Sequence, residues 1–346
     1  MSLHLRIPDN RMALGGVVLL SLSVKLTLLF LDKAINTDGI LYISAAKLFE
    51  SGRYGEGWAL FPMPAYPFLL YLVHTVIPDW IGAARFISIF AYTAAILPLY
   101  ALTRTLFDRQ AAIWAALLFA LSPLANIKSM DIIRDPVFIF CLALYLWCFL
   151  GSIRSLSLGL LVAALIFAAT SFLFRIEAIV MLGAPCIFLP VCLISAKSRE
   201  ENKWAATSLA IWLLTLGAML FLAVVIAQHT SSANIIRPDI QSHMEKLFSF
   251  SAFDQYHAIY GHLKTVQDSP PFSGFNSSIA AVTRHWMPLV YLVGQTEIFL
   301  KALFPVYLIP LLVALKMLLT KQLRGNRPLA FVIFLLGIYF IFVYYA

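Results

Sequence analysis

The sequence predicts an all-α, polytopic membrane protein, and three observations carry that prediction. Of its 346 residues, 61% are hydrophobic and 12% charged, where soluble domains run about 45–50% apolar and about 25% charged. Its mean hydropathy is +0.87. Apolar runs recur along it at lengths near the ~20 residues that a membrane helix needs. Inside a bilayer the backbone must satisfy its own N–H and C=O groups, which makes such runs helices.

The net charge of +8 does not point to nucleic acid, because the basic residues lie in short loops between apolar runs and form no single patch. The four cysteines, Cys141, Cys148, Cys186 and Cys192, all sit inside apolar runs without a CxxC pair. They read as small buried hydrophobes, with no disulfide framework or zinc site.

About nine spans follow in order: 12–31, 83–103, 111–124, 136–150, 156–174, 178–194, 205–227, 298–319 and 329–345. The first is too long for a signal h-region and lacks a small-residue cleavage site, so it reads as a retained signal-anchor. With the N-terminus inside, Arg104, Arg109, Arg154, Lys197, Arg199, Lys203, Lys316, Lys321, Arg324 and Arg327 all fall in inside loops, as the positive-inside bias demands. The outer segments are then 32–82, 125–134, 175–177 and 229–297. Two acids, Asp38 and Asp135, fall on that outer side. This holds only if the short apolar run 64–76 does not cross the membrane.

The first outer loop reads as two membrane-surface helices. One covers 38–50, where Ile40, Tyr42, Ile43, Ala46, Leu48 and Phe49 interleave with Ser44, Lys47 and Glu50. The other starts near Pro64, since proline is tolerated in a first helical turn. The segment 229–297 holds five of the seven histidines, His229, His243, His257, His262 and His285, and the turn-rich stretch 268–274. It reads as a lid or acceptor-facing subdomain. His257, His262 and Asp254 lack the spacing of a metal site. Three divisions result: a catalytic transmembrane core (1–228), an extracytoplasmic loop subdomain (229–297) and C-terminal transmembrane helices (298–346).

Several short motifs keep a common order over roughly the first half of the chain. Asp38, Tyr42, Ala46 and Gly52 form D-x-x-x-Y-x-x-x-A…G. Pro64, Tyr66 and Pro67 follow, then Ala84-Arg85, Ser122-Pro123 and Asp135-Pro136. In this register the chain resembles the GT-C superfamily of membrane glycosyltransferases, nearest to the protein-mannosyltransferase and aminoarabinose-transferase branch. Members of that family usually have more spans and often a soluble outer domain, so this chain reads either as a short member or as one lacking part of its C-terminal region. In some members a second acid follows the first; here Gly39 takes that place, which weakens the case for a divalent metal and leaves metal binding open.

The resemblance implies a polyprenyl-phosphate-linked sugar as donor, and a lipid, a glycan or a protein as acceptor. It implies the bacterial cytoplasmic (inner) membrane, with the active site facing outside, where nucleotide sugars are absent. It casts Asp38 as the base that takes the acceptor's proton, and Asp135 as a second active-site acid with Asp131 as its rival. The plainer reading of both Asp38 and Asp135 is helix N-capping. Arg175 and Glu177 lie at the outer ends of adjoining spans; a guanidinium grips phosphate as a planar fork, while the plainer reading is an ion pair or an interfacial snorkel. Tyr42, Tyr66, Arg85, Arg134 and Lys301 complete the expected substrate-binding set. The rival functions are a lipid or glycan transporter or flippase, and a non-catalytic scaffold. Against transport, no charged residue recurs mid-span except Lys25, and no Gly/Pro-broken helix pair recurs in two halves.

Overall fold

The computed structural model describes residues 10–31, 35–61, 63–229, 258, 260–265, 275–287, 289, 293, 331, 332 and 335. Among these every regular element is helical, as the sequence predicts. The chain divides into two compact units, residues 1–235 with 325–339, and residues 236–324 with 340–346.

The first unit opens with α1 (Asn10–Leu31). Three short helices follow: α2 (Thr37–Glu50), α3 (Tyr54–Leu60) and α4 (Ala65–His74). The sequence anticipates α2 and α4 but not α3, whose Gly55 and Gly57 are weak helix formers. α3 is held instead by an ion pair between Arg53 and Glu56 and by close packing. A Cβ on Gly57 would stand 2.7 Å from the Phe49 ring of α2, so only glycine lets the two helices meet. At 10 residues, α4 is ~15 Å long at ~1.5 Å per residue, about half the ~30 Å hydrocarbon thickness. It does not span.

Next come α5 (Trp80–Ala94) and α6 (Ile96–Leu106), which together form one apolar stretch. α7 (Arg109–Ala120) and α8 (Pro123–Lys128) follow. The expected span 111–124 is cut short there: Pro123 cannot continue α7, and Ser122 caps a new helix by accepting from Ala125 N–H at 3.4 Å. α9 (Asp135–Ser155), α10 (Leu158–Phe174), α11 (Ile179–Ile194) and α12 (Arg199–His229) complete the described helices of this unit. The expected span 156–174 begins two residues late. Leu156 ends α9 in the left-handed region, φ 53°, and Ser157 caps α10.

Four stretches are long and apolar enough to cross a membrane: Arg11–Leu31, Trp80–Leu106, Asp135–Ser155 and Ile176–Ile194. α7 and α10 are shorter apolar helices. The expected spans 298–319 and 329–345 lie outside the described residues, apart from Phe331, Val332 and Leu335.

α9 packs along α10, and also against α5 and α6. On α10 the buried face is Leu161, Ala164, Leu165, Ala168 and Ser171. Small residues at that spacing let two backbones approach closely, which is what holds helices together where lipid competes with side chains. α1 joins through Val17, packed with Ile96, Tyr100, Ala112, Ala116 and Ala120. Its buried Lys25 donates to Ser21 Oγ at 2.6 Å and to Asn126 Oδ1 at 3.0 Å, which ties α1 to α8. α11 contains Pro185 and Pro190. Proline has no N–H to give to the carbonyl one turn back. Tyr145 of α9 supplies that donor, its hydroxyl giving to Met181 C=O at 3.0 Å, and Trp212 of α12 donates Nε1–H to Leu182 C=O at 2.8 Å. Phe149 then packs on Trp212 and Phe331.

In the second unit, α13 (Phe275–His285) carries Arg284 over the ring of Tyr260. His262 and His285 are exposed. Lys301, His243, His257, Asp254 and the stretch 268–274 lie outside the described residues.

Candidate active site

Helix direction brings the two acids to one end of the first unit. At the other end, Arg154 at the close of α9 donates to Thr105 C=O at 2.6 Å near the close of α6. The Asp38 end of α2 is joined to the loop before α9 by Asn36, whose side chain bonds both backbone groups of Ile132.

Asp135 is the first residue of α9 rather than its cap, which is Arg134. Its carboxylate accepts from Arg175 Nη1 at 2.5 Å, across from the end of α10. Arg175 also forks onto Glu177, with Nη2 2.5 Å and Nε 3.1 Å from the carboxylate oxygens. Its ring contact is Phe138. Partial burial alone would favour loss of its proton, but the two carboxylates outweigh this and raise its pKa above the ordinary arginine value. The simple ion pair weighed for Arg175 is therefore present, extended to a triad. Charge-assisted and bidentate contacts of this kind are short and directional.

Asp38 differs. The cap position of α2 is Asn36, and Asp38 sits exposed in the first turn. Among the described residues its carboxylate has no hydrogen bond or ion pair. N-capping thus explains neither acid. Below Asp38, the buried Tyr42 ring meets Phe61 at 4.8 Å and Tyr66 at 4.9 Å, both edge-on. Burial raises the Tyr42 phenol above its ordinary pKa, opposed by Arg134 and reinforced by Asp38 and Asp135. Tyr42 therefore remains a neutral hydroxyl among these charges. Arg134 lies over the Phe61 ring, 5.3 Å from its centroid, and pairs with no carboxylate among the described residues.

Of the remaining candidates, Tyr66 and Arg85 support rather than line this cluster, and Lys301 lies outside the described residues. Tyr66 is fully buried. Arg85 is buried on α5, with Nε donating to Met130 C=O at 3.3 Å, and Ser88 donates to Asp131 C=O at 3.2 Å. The side chain of Asp131 accepts from Lys128 at 2.8 Å. Asn36, Phe61 and Ser88 are the contributors that sequence reasoning passed over. Only Asn36 left a signal, as a polar residue two places before Asp38. No group of three metal-ligating side chains converges among the described residues. As folded, Asp135 and Glu177 do not fit a metal, because the Arg175 guanidinium fills the space between them.

Residues 62–227, just under half of the chain, match the model of the dolichyl-phosphate-mannose-protein mannosyltransferase family, a GT-C superfamily domain. That family comprises membrane glycosyltransferases that use polyprenyl-phosphate sugars. The resemblance read from the motifs is borne out over that stretch, which includes Arg134, Asp135, Arg175 and Glu177 and begins after Asp38 and Tyr42. No curated protein matches the chain.

Proposed function

We propose that the chain is a glycosyltransferase that moves a sugar from a polyprenyl-phosphate carrier to a lipid, glycan or protein acceptor at the outer membrane face, with inversion. One observation carries the assignment of roles: at one end of the bundle Asp38 is exposed and, among the described residues, without a hydrogen bond or ion pair, while Asp135 is bound to a cation. An unpaired carboxylate can take a proton; a carboxylate held by a guanidinium serves better to hold that guanidinium.

In the reaction, a hydroxyl or amine of the acceptor attacks the anomeric carbon from the face opposite the phosphate. The new bond forms as the bond from the anomeric carbon to the phosphate oxygen breaks. The bonding electrons leave with that oxygen as polyprenyl phosphate. Asp38 takes the acceptor's proton as its nucleophilicity is needed. Arg134, which pairs with no carboxylate among the described residues, meets the phosphate, and Arg175, fixed in its triad, adds positive potential where negative charge develops. Phe61, half-buried, offers apolar surface beneath.

The test is transfer of radiolabelled sugar from purified polyprenyl-phosphate mannose by the purified protein in vesicles. Release of labelled sugar from the carrier, lost in Asp38→Asn, is the expected result. Movement of intact donor across the bilayer without cleavage would establish the flippase alternative instead.

A further inference from the structure

Asn36 occupies the N-cap position of α2, yet its side chain makes no cap bond. An asparagine there ordinarily accepts from the backbone N–H two or three residues on. This one reaches across to the loop before α9. Its Oδ1 accepts from Ile132 N–H at 2.9 Å, and its Nδ2 donates to Ile132 C=O at 3.2 Å. The amide thus satisfies both backbone groups of one residue, as a paired strand would. Gly39 permits the approach. A Cβ at Gly39 would stand 2.8 Å from Ile132 Cβ and 2.9 Å from Asn36 Oδ1. The loop is already fixed from its other side by Arg85 on Met130 and Ser88 on Asp131. Asn36 lies two residues before Asp38, and Ile132 lies three before Asp135, so the clamp sits between the two acids along both strands of chain.

We infer that Asn36 and Gly39 are positioning residues: they lock the start of α2 onto the loop before α9 and so set Asp38 relative to Asp135 and Arg175. This rests on the transfer reading above. The α2 helix is short and gains its other described contacts farther along, through Tyr42 and Phe49. Its first turn is held to α9's approach by this amide and by the fit of Gly39. A misplacement of about 1 Å in a reacting group can cost on the order of 100-fold in rate.

The experiment measures consumption of radiolabelled polyprenyl-phosphate mannose by Asn36→Ala and Gly39→Ala. It also measures the separation of nitroxide labels at Asp38→Cys and Asp135→Cys, with the four native cysteines replaced. Loss of the clamp should lower kcat about 10- to 100-fold and leave the donor KM within about twofold, since the donor-binding groups are untouched. The label separation should broaden in both variants. The pair Gly39→Ala with Ile132→Gly, which removes the blocking Cβ, should regain part of the turnover. If Asn36→Ala does not fold, Gly39→Ala and its rescue decide. Unchanged kcat in both variants, or an unchanged label separation, overturns the inference while transfer stands. A wild-type protein that releases no sugar overturns the transfer reading itself, and the inference with it.

Discussion

Asp38 and Asp135 are the same residue type at the start of neighbouring helices, and what separates them is company. Asp135 stands 2.5 Å from Arg175, whereas Asp38 has no described partner and is exposed. Mutating each to asparagine should therefore fail in different ways. Asp38→Asn should lose at least ~100-fold in transfer, the low end for a lost general base, with its thermal unfolding midpoint unchanged. Asp135→Asn should lose activity and stability together, because it leaves Arg175 with one carboxylate instead of two; thermal scans beside transfer assays check this, and matching midpoints for the two variants would contradict it. The cations divide likewise. Arg175 already spends three N–H groups on carboxylates, so Arg134→Ala should weaken donor binding in lipid titration more than Arg175→Lys does, while Arg175→Lys, which breaks the fork, should mainly lower turnover. The acids and arginines were legible in the sequence, because charge stands out against an apolar background. Their partners were not: nothing in the spacing of Asp135 and Arg175 says that α9 and α10 pack antiparallel closely enough to join them.

At the scale of elements, the sequence suggested capping at Asp38 and Asp135, yet the cap positions there are Asn36 and Arg134; the side chains that do cap helices are Asp79, Asp108, Ser122 and Ser157. The sequence was least legible where tertiary contacts override local preference. α3 forms despite two glycines, since Gly57 seats under Phe49. α11 keeps two prolines within its length. Its carbonyls at Met181 and Leu182 are met by Tyr145 and Trp212 from two different helices, and in a bilayer a carbonyl without a donor is costly. Tyr145→Phe leaves Met181 C=O unpaired at almost unchanged volume. It should destabilise the protein by about 1–3 kcal/mol, read as a lowered unfolding midpoint in detergent. The turn between α9 and α10 predicts the opposite sign. Leu156 sits at φ 53°, where an L side chain costs roughly 1–2 kcal/mol. Leu156→Gly should raise the midpoint, less the smaller loss of its half-buried side chain.

At the end of the first unit where Arg154 donates to Thr105 C=O, Arg104 lies beside that contact, and Lys197, Arg199 and Lys203 lie where α11 gives way to α12. Asp38, Arg134, Asp135, Arg175 and Glu177 belong to the turns at the opposite ends of the same helices. The bonds from Asn36 to Ile132 place the start of α2 beside the loop before α9, so the two acids lie at one end of the unit. Lys and Arg are retained on the cytoplasmic side of membrane helices, so the basic end should face the cytoplasm and the acidic cluster the outside. Single cysteines in a background without the four native ones test this in intact cells. Gly39 is unsuitable as a reporter, since any side chain there strikes Ile132. Ile40, 60% exposed on the next position of α2, and Lys128, exposed on α8, report the two sides of the acid cluster. Lys197 reports the basic end. Ile40→Cys and Lys128→Cys should both react with an impermeant thiol reagent added outside, and Lys197→Cys only after the membrane is opened. Reaction of Ile40→Cys and Lys128→Cys from opposite sides would separate Asp38 from Asp135 and dissolve the common site. Reaction of all three from the reverse sides would keep the site but turn it toward the cytoplasm, where nucleotide sugars are at hand and the case for a lipid-borne donor would lose its main physical support.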